Sequence, residues 1–119
     1  MNDEKDLLAS LTLELRRGTL ILSVLSQLHR SQYGYSLVQL LESKGVVIDP
    51  STLYPLLRRL EKQGLLCSEW DTKESKPRKY YHRTPYGDEV YQQLRGQWEQ
   101  MARDMKKLLE DDASEQTVD

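Results

Sequence analysis

This chain of 119 residues contains no phenylalanine, a single cysteine and only two histidines. One cysteine cannot form an internal disulfide, which is typical of a reducing compartment, so we expect a cytoplasmic protein. With so few imidazole and thiolate groups, no set of residues has metal-ligand spacing, and we expect neither a metal nor another cofactor. A glycine-rich phosphate loop and a nucleophile elbow are also missing from the sequence. These absences argue against an enzyme.

Long apolar runs are missing as well. No stretch approaches the roughly 20 apolar residues that a membrane-spanning helix needs, and the first residues include Asp3, Glu4 and Asp6 rather than a basic start. We therefore expect no signal peptide and no membrane partner. The length predicts a single domain with a modest core.

The charge is unevenly distributed along the chain. The net charge is −2, but residues 50–84 hold eight basic and four acidic residues, whereas residues 110–119 hold five acidic residues and no basic one. Charges in solution are screened over about 8 Å at physiological salt. A distant acidic end therefore does not exclude a nucleic-acid partner for the basic middle.

The segment from Asp49 to Lys62 is the most informative one. At about 100° per residue, its leucines share one helix face and its hydroxyl and basic groups share the other, with Thr52 and Arg59 at the border. Such a helix is suited to hold a core with one side and to contact phosphates and bases with the other. An ordinary amphipathic surface helix is the alternative. The two faces are Leu53, Leu56, Leu57 and Leu60, and Ser51, Tyr54, Arg58 and Lys62.

The ends of this helix carry further signals. Asp49 is expected to cap it, with Pro50 at the first helical position, and Gly64 is expected to end it. Pro55 lacks a backbone donor and predicts a short helix that is irregular at its start.

A β-hairpin is predicted after the helix. Residues 65–70 and 78–84 have strand composition, and the polar turn between them contains two lysines. A helix followed by a basic-tipped hairpin is typical of a winged helix-turn-helix, whose helix enters a major groove while the wing lies along the backbone or minor groove. Within the hairpin, Cys67 is expected to be a small buried residue and Trp70 a core residue.

Two more helices are predicted before the recognition helix. The first spans Leu7 to His29 with its leucines facing inward, and Gly18 is acceptable in it if another backbone passes close by. The second spans Gly34 to Lys44. The apolar run of residues 46–48 is expected to form a brief edge strand.

Residues from Thr84 to about Asp112 predict one long helix. Six residues on it are spaced 3, 4, 3, 4 and 3 apart, which is a heptad pattern. A small winged-helix body cannot cover so long a helix, so we expect it to pack against its copy in a second chain; coverage by the first helix is the alternative. This heptad seam consists of Tyr91, Leu94, Trp98, Met101, Met105 and Leu108.

The expected organisation follows from these elements. The fold class is mainly α with a small β-hairpin: a winged helix-turn-helix plus a long C-terminal dimerisation helix. Residues 1–86 form the DNA-binding domain with its N-terminal helix, residues 87–112 the dimerisation helix, and residues 113–119 a disordered acidic tail.

Several sequence blocks within about residues 15–86 resemble the PadR family of bacterial transcriptional regulators. The resemblance implies a dimeric winged-helix repressor whose C-terminal helices form the dimer interface, and a single helix after the wing is similar to the short-tailed members. The run Val46–Pro50 departs from the polar Ser-Pro-Gly approach of many members. The matching blocks are Tyr33-Gly34-Tyr35, Thr52–Glu61, Gly64-Leu65-Leu66, Glu69-Trp70 and Pro77–Tyr81.

The resemblance also implies residue roles and partners. Double-stranded DNA with an inverted-repeat operator is the expected partner, and Arg58 is the expected deeper reader or phosphate clamp. Arg59 is expected to pair with a nearby acid, and packing is the alternative role for Tyr35. The expected DNA-binding residues are Tyr35, Ser51, Thr52, Tyr54, Arg58, Lys76, Arg78 and Lys79.

Some family members bind planar aromatic molecules at the dimer interface. Trp98 occupies the matching place here, so Tyr91, Trp98 and Met101 are candidate effector contacts; the alternative is that they only fill the interface. The expected function is a homodimeric repressor released by a small effector, for which the resemblance gives an aromatic molecule as the candidate. A winged-helix module for protein–protein assembly is the alternative function. The expected dimer contacts are Leu94, Trp98, Met101, Met105 and Leu108.

Overall fold

The computed structural model describes the backbone of residues 2–117 and the side chains of residues 3–112. The described part is mainly helical with one small antiparallel sheet, which confirms the predicted fold class. In chain order its elements are α1 (Asn2–Arg17), α2 (Leu20–Ser26), β1 (Gln32–Tyr33), α3 (Gly34–Ser43), α4 (Pro50–Lys62), β2 (Leu66–Asp71), β3 (Arg78–Arg83) and α5 (Pro85–Thr117).

Residues 20–84, here called the winged-helix body, contain the core. Helices α2, α3 and α4 and one face of the sheet supply its buried residues. The four leucines of the inner face of α4 are all buried, as the helical pattern predicts. The core residues are Val24, Leu25, Leu28, Leu37, Leu41, Ile48, Leu53, Leu56, Leu57, Leu60, Leu65, Leu66 and Tyr81.

The sheet has three strands in the order β1-β3-β2. Strands β2 and β3 form the predicted hairpin, here called the wing, and β1 pairs with β3 through Tyr33 and Tyr80. The edge strand predicted at residues 46–48 is wrong, because the backbone N–H of Val46 donates to the Leu41 carbonyl (2.9 Å) and closes the end of α3. The third strand, Gln32–Tyr33, lies instead between the two helices predicted before the recognition helix, where no strand was predicted.

The prediction of one long first helix is also wrong, because the chain forms two helices separated at Gly18 and Thr19. No atom lies within 4 Å of a Cβ built on Gly18, so no close backbone compensates for its low helix propensity. The Thr19 hydroxyl donates to the Arg16 carbonyl (2.9 Å) at the break. Helix α1 begins at Asn2 rather than Leu7, and α2 ends at Ser26 rather than His29.

Helix α4 has the predicted ends but is more regular than predicted. The Asp49 carboxylate accepts from the Ser51 N–H at 2.8 Å, and Gly64 follows the helix with a φ of 82°. The expected irregular start is wrong, since residues 50–62 are helical throughout. Pro55 removes one hydrogen bond near the N-terminus and occupies an exposed position, where the loss is tolerated.

Helix α5 starts as predicted and continues further. The Thr84 hydroxyl accepts from the Gly87 N–H (2.9 Å), with Pro85 at the first helical position. The helix runs to Thr117, so residues 113–117 are helical rather than disordered, because each added residue of an existing helix gains one hydrogen bond. Residues 118–119 of the expected tail lie outside the described residues.

Candidate nucleic-acid interface

The outer face of α4 is exposed, as its pattern predicts. Thr52 and Arg58 lie on the surface, and none of the ion pairs among residues 3–112 involves Arg58. The Ser51 hydroxyl donates to the Asp49 carboxylate (2.7 Å), and these hydrogen bonds lower the pKa of Asp49. Ser51 therefore helps to begin the helix in addition to its predicted role. Arg59 was expected to pair with an acid, but it also has no ion pair among these residues.

Tyr54 is held in place by the glycine of the Tyr33-Gly34-Tyr35 block. A Cβ on Gly34 would overlap the Tyr54 ring, so only glycine lets the two helices approach this closely. Tyr54 remains 37% exposed and Tyr35, at the start of α3, is 54% exposed. The packed alternative for Tyr35 is therefore not favoured. Both aromatic side chains are accessible beside the outer face of α4.

The two cationic residues that begin β3 point to opposite faces of the wing, because side chains alternate along a strand. The Arg78 guanidinium lies over the Tyr33 ring (4.8 Å to the centroid) and 3.8 Å from Glu74. A hydrogen bond with Tyr80, together with Tyr33 and Glu74, raises the pKa of Arg78. Arg78 thus lies on the face of the sheet that carries Tyr33, opposite to the face that carries Lys79.

Lys79 belongs to the side of the wing that faces α4. Its Nζ lies 3.3 Å from a Glu61 carboxylate oxygen, and the Ser68 hydroxyl donates to the other oxygen of Glu61. Partial burial lowers the pKa of Lys79, but contacts with Tyr81 and Glu61 outweigh it and leave the pKa raised. Lys79 is therefore partly used inside the chain, and Glu61 joins the recognition helix to the wing.

The tip of the wing carries a less restrained cation. Lys76 is exposed and takes part in none of the ion pairs among residues 3–112. It lies three positions before Lys79, the residue that contacts Glu61. The structure thus brings together an outer helix face and a basic wing tip on one body.

The heptad seam divides into two parts. Tyr91 and Leu94 are half-buried against the winged-helix body, and the Arg83 guanidinium lies 4.3 Å from the centroid of the Tyr91 ring. The rest of the seam is exposed, and Trp98 is 45% accessible. The alternative, coverage by the predicted first helix, holds only in part: α2 contacts the first turns of α5, whereas the α1 leucines are themselves exposed and Leu15 is 78% accessible.

An apolar groove of about 850 Å³ runs between α2 and the exposed part of α5. Trp98, Met101 and Met105 line it from α5, and Leu15, Ile21 and Leu22 line it from the first two helices. Tyr91 lies outside this groove and lines a smaller, more polar depression with Arg95. The candidate effector contacts are thus separated into two adjoining spaces, with Trp98 in both.

Residues 21–93, more than half of the chain, match the Transcriptional regulator PadR-like family. The chain belongs to this family. A PadR-family transcriptional regulator from Eggerthella lenta has a TM-score of 0.86 and 51% identity, covering 92% of this chain and 98% of its own. A transcriptional regulator from Clostridium thermocellum has a TM-score of 0.73 and 34% identity, covering 79% and 96%.

A curated relative agrees with this assignment. Transcriptional regulator Rv3488 of Mycobacterium tuberculosis is 34% identical over 93 residues, or 77% of this PadR-like chain and 87% of that protein. The chain is therefore a transcriptional regulator rather than an enzyme, and its family implies DNA-binding regulation. In residues 2–117, no helix is long and apolar enough to cross a membrane.

Two side chains of the winged-helix body, Trp70 and Cys67, are more exposed than the sequence predicted, and a third, Arg83, makes contacts for which no role was predicted. Trp70 is 64% exposed on the wing rather than in the core. Cys67 is half-buried, with its Sγ 2.9 Å from Nε2 of His82 across the strand pair. The Arg83 guanidinium donates to the Leu25 carbonyl (2.8 Å) and pairs with Asp88. The charge pattern of the sequence did not predict these contacts.

Proposed function

We propose that this chain is a homodimeric repressor that places two α4 helices in successive major grooves of an inverted-repeat operator. The two recognition helices would lie about 34 Å apart, one turn of B-DNA. Ser51, Thr52, Tyr54 and Arg58 would contact bases and phosphates from α4. Tyr35 and the wing residues Lys76, Arg78 and Lys79 would contact the backbone.

A single observation carries this proposal: one face of α4 is buried in the core and the opposite face is accessible. All four leucines of the helix are buried, while its hydroxyl and guanidinium groups are accessible. An assembly module would more often expose apolar residues at these outer positions. The cationic outer face of α4 favours a polyanionic partner.

The proposed dimer uses the exposed apolar surfaces at both ends of the chain. Trp98, Met101, Met105 and Leu108 are exposed on α5, and Leu8 and Leu11 are exposed on α1. A second copy would cover both sets, since soluble proteins rarely leave so much contiguous apolar surface in water. Leu94 is half-buried within the chain and would contribute less than the seam pattern predicts.

The groove beside Trp98 is the proposed effector site. Its volume of about 850 Å³ suits a drug-sized molecule, and thioether and indole side chains suit a planar aromatic one. A ligand releases DNA only if it prefers one spacing of the two recognition helices over the other. The link from Tyr91 through Arg83 to β3 connects this region with the wing.

Binding to the DNA upstream of its own coding region tests the main proposal. The protein should shift this duplex in a gel with an affinity on the order of 10⁻⁸ M or tighter, and the affinity should fall steeply with salt. A reporter gene behind the same DNA should be less active when the protein is present. Equal binding to a shuffled duplex of the same composition would contradict an operator-specific regulator, and increased reporter activity would contradict repression.

Fluorescence tests the effector site separately. Planar aromatic molecules should quench tryptophan emission in the natural protein and in Trp70→Phe. The quenching should be lost in Trp98→Ala, because the stacked indole is gone. Unchanged quenching in Trp98→Ala would remove Trp98 from the site.

A further inference from the structure

Trp70 is an exposed indole near the end of β2 and lies outside the buried core. Its register partner on β3 is Lys79. A tryptophan in water leaves a large apolar surface uncovered, and such residues are enriched where a binding partner covers them. Neither the buried core nor the heptad seam accounts for this side chain.

The strand geometry shows which way Trp70 points. Side chains two residues apart on a strand share a face, so Trp70 is on the same face as Ser68. The Ser68 hydroxyl donates to Glu61 of α4. Trp70 therefore lies on the side of the wing that faces the recognition helix, about 7 Å further along the strand toward the tip.

The charges around Trp70 favour an anionic partner. Lys79 lies beside it on the same face, where Glu61 offsets part of its charge, and the exposed Lys76 at the tip takes part in none of the ion pairs among residues 3–112. The acidic neighbours Glu69 and Asp71 point to the opposite face, because they alternate with Trp70 along the strand. Aromatic residues beside cations on this face match the chemistry of a sugar–phosphate backbone.

We propose that Trp70 is a DNA contact on the wing. Its ring packs on a deoxyribose of the DNA strand that lies next to the recognition helix. The indole Nε1–H donates to a phosphate oxygen, since this group is only a donor and needs an acceptor when covered. The contact carries no charge of its own. This inference rests on the proposed function, because it extends the same DNA interface from α4 onto the wing.

Salt dependence distinguishes this contact from the cationic ones. Trp70→Ala should weaken operator binding about tenfold, as expected for uncovering an indole. The slope of log K against log salt should stay the same, since no counterion is released by an uncharged ring. Lys76→Ala should lower that slope by about one per subunit. Tyr86→Ala, which alters an exposed aromatic residue off the wing, is the matched control and should have no effect.

Fluorescence gives a second, direct readout. Operator DNA should quench the emission of the natural protein, and this quenching should be largely lost in Trp70→Phe while Trp98 is retained. Wild-type affinity in Trp70→Ala, or DNA quenching that persists in Trp70→Phe, would overturn the inference. A changed oligomeric state in Trp70→Ala, measured by sedimentation, would assign the indole to a protein contact instead. Failure of the natural protein to bind any duplex would overturn the proposed function itself.

Discussion

Helices α4 and α1 are both rich in leucine, but the leucines are buried in α4 and exposed in α1. The four leucines of α4 are between 0% and 7% exposed, whereas those of α1 are between 58% and 78% exposed. Helix α4 lies between α3 and the sheet, so neighbours within the chain cover it. Helix α1 is separated from the body by the break at Gly18, and its leucines are left largely uncovered by the described part of the chain. An amphipathic pattern thus predicts a helix and its apolar face but not the partner that covers this face.

The same contrast holds within α5. Its first turns rest on the winged-helix body through Tyr91 and Leu94, while the later seam residues are exposed. If a second chain covers α1 and the later part of α5, variants in these two segments should weaken the association of the two chains. Variants in α4 should act on folding or on DNA binding.

The largest expected effect is on the dimer. Met101→Lys combined with Met105→Lys would place four ammonium groups in the proposed interface, so sedimentation should show a monomer. Operator affinity should fall by about 10²–10⁴, because the advantage of two linked binding sites is lost. Gln92→Lys with Gln93→Lys adds the same charge to exposed α5 positions outside the seam and should change neither property. A double methionine variant that remains a dimer would show that the seam is misplaced.

Folding stability should separate the two leucine faces. Leu57→Ala should lower the free energy of unfolding by about 2–5 kcal/mol, because it leaves a cavity in the core. Leu11→Ala should act mainly on association, so sedimentation should show a larger dissociation constant for the dimer, and denaturant unfolding should lose stability only at protein concentrations where the dimer is populated. A concentration-independent loss in Leu11→Ala of the same size as in Leu57→Ala would mean that α1 packs within its own chain.

Removing Arg58 should weaken DNA binding without changing the fold. Arg58→Ala should cost about 1–3 kcal/mol per subunit in operator affinity, measured by fluorescence anisotropy with labelled DNA. Arg95→Ala is a suitable control, because Arg95 lies on α5 and pairs with Glu99. The interface assignment fails for Arg58 if the two variants bind equally well.

The smallest expected effect concerns the start of α4. The lowered pKa of Asp49 means that the folded state favours the carboxylate, so this stabilisation is present above the ordinary aspartate pKa and is lost as pH falls through the lowered one. Thermal melts should show that Asp49→Ala loses stability relative to the natural chain near neutral pH and that the difference shrinks in acid. Asp49→Asn keeps a capping oxygen and should be less affected, with no acid-dependent change from this site. A constant difference at all pH values would contradict the assigned cap.

Several predictions from the sequence depended on local rules and were confirmed. Asp49, Pro50 and Gly64 mark the ends of α4 by capping chemistry, and the leucine spacing identifies its buried face. The hairpin after it follows from strand composition and a polar turn. The roles assigned to the DNA-binding and effector residues stay predictions, supported by their positions on the surface.

The errors arose where distant parts of the chain meet. The strand at Gln32–Tyr33 exists because β3 pairs with it, and nothing local distinguishes it from a loop. The ion pair of Lys79 with Glu61 could not be predicted for the same reason, because the two residues are 18 positions apart in the sequence. Trp70 is an aromatic residue in a strand and was therefore expected in the core, but its 64% exposure follows from the packing around β2, which no local pattern shows.

Local patterns in the amino-acid sequence are sufficient to place α3, α4 and α5, the buried face of α4 and the family resemblance, because helix caps, residue periodicity and conformationally special residues act over a few neighbouring positions. Which apolar faces are covered and which cations remain accessible is set by the folded chain. Burial and ion pairing depend on residues far apart in the chain, so the same leucine pattern ended inside the core in α4 and on the surface in α1.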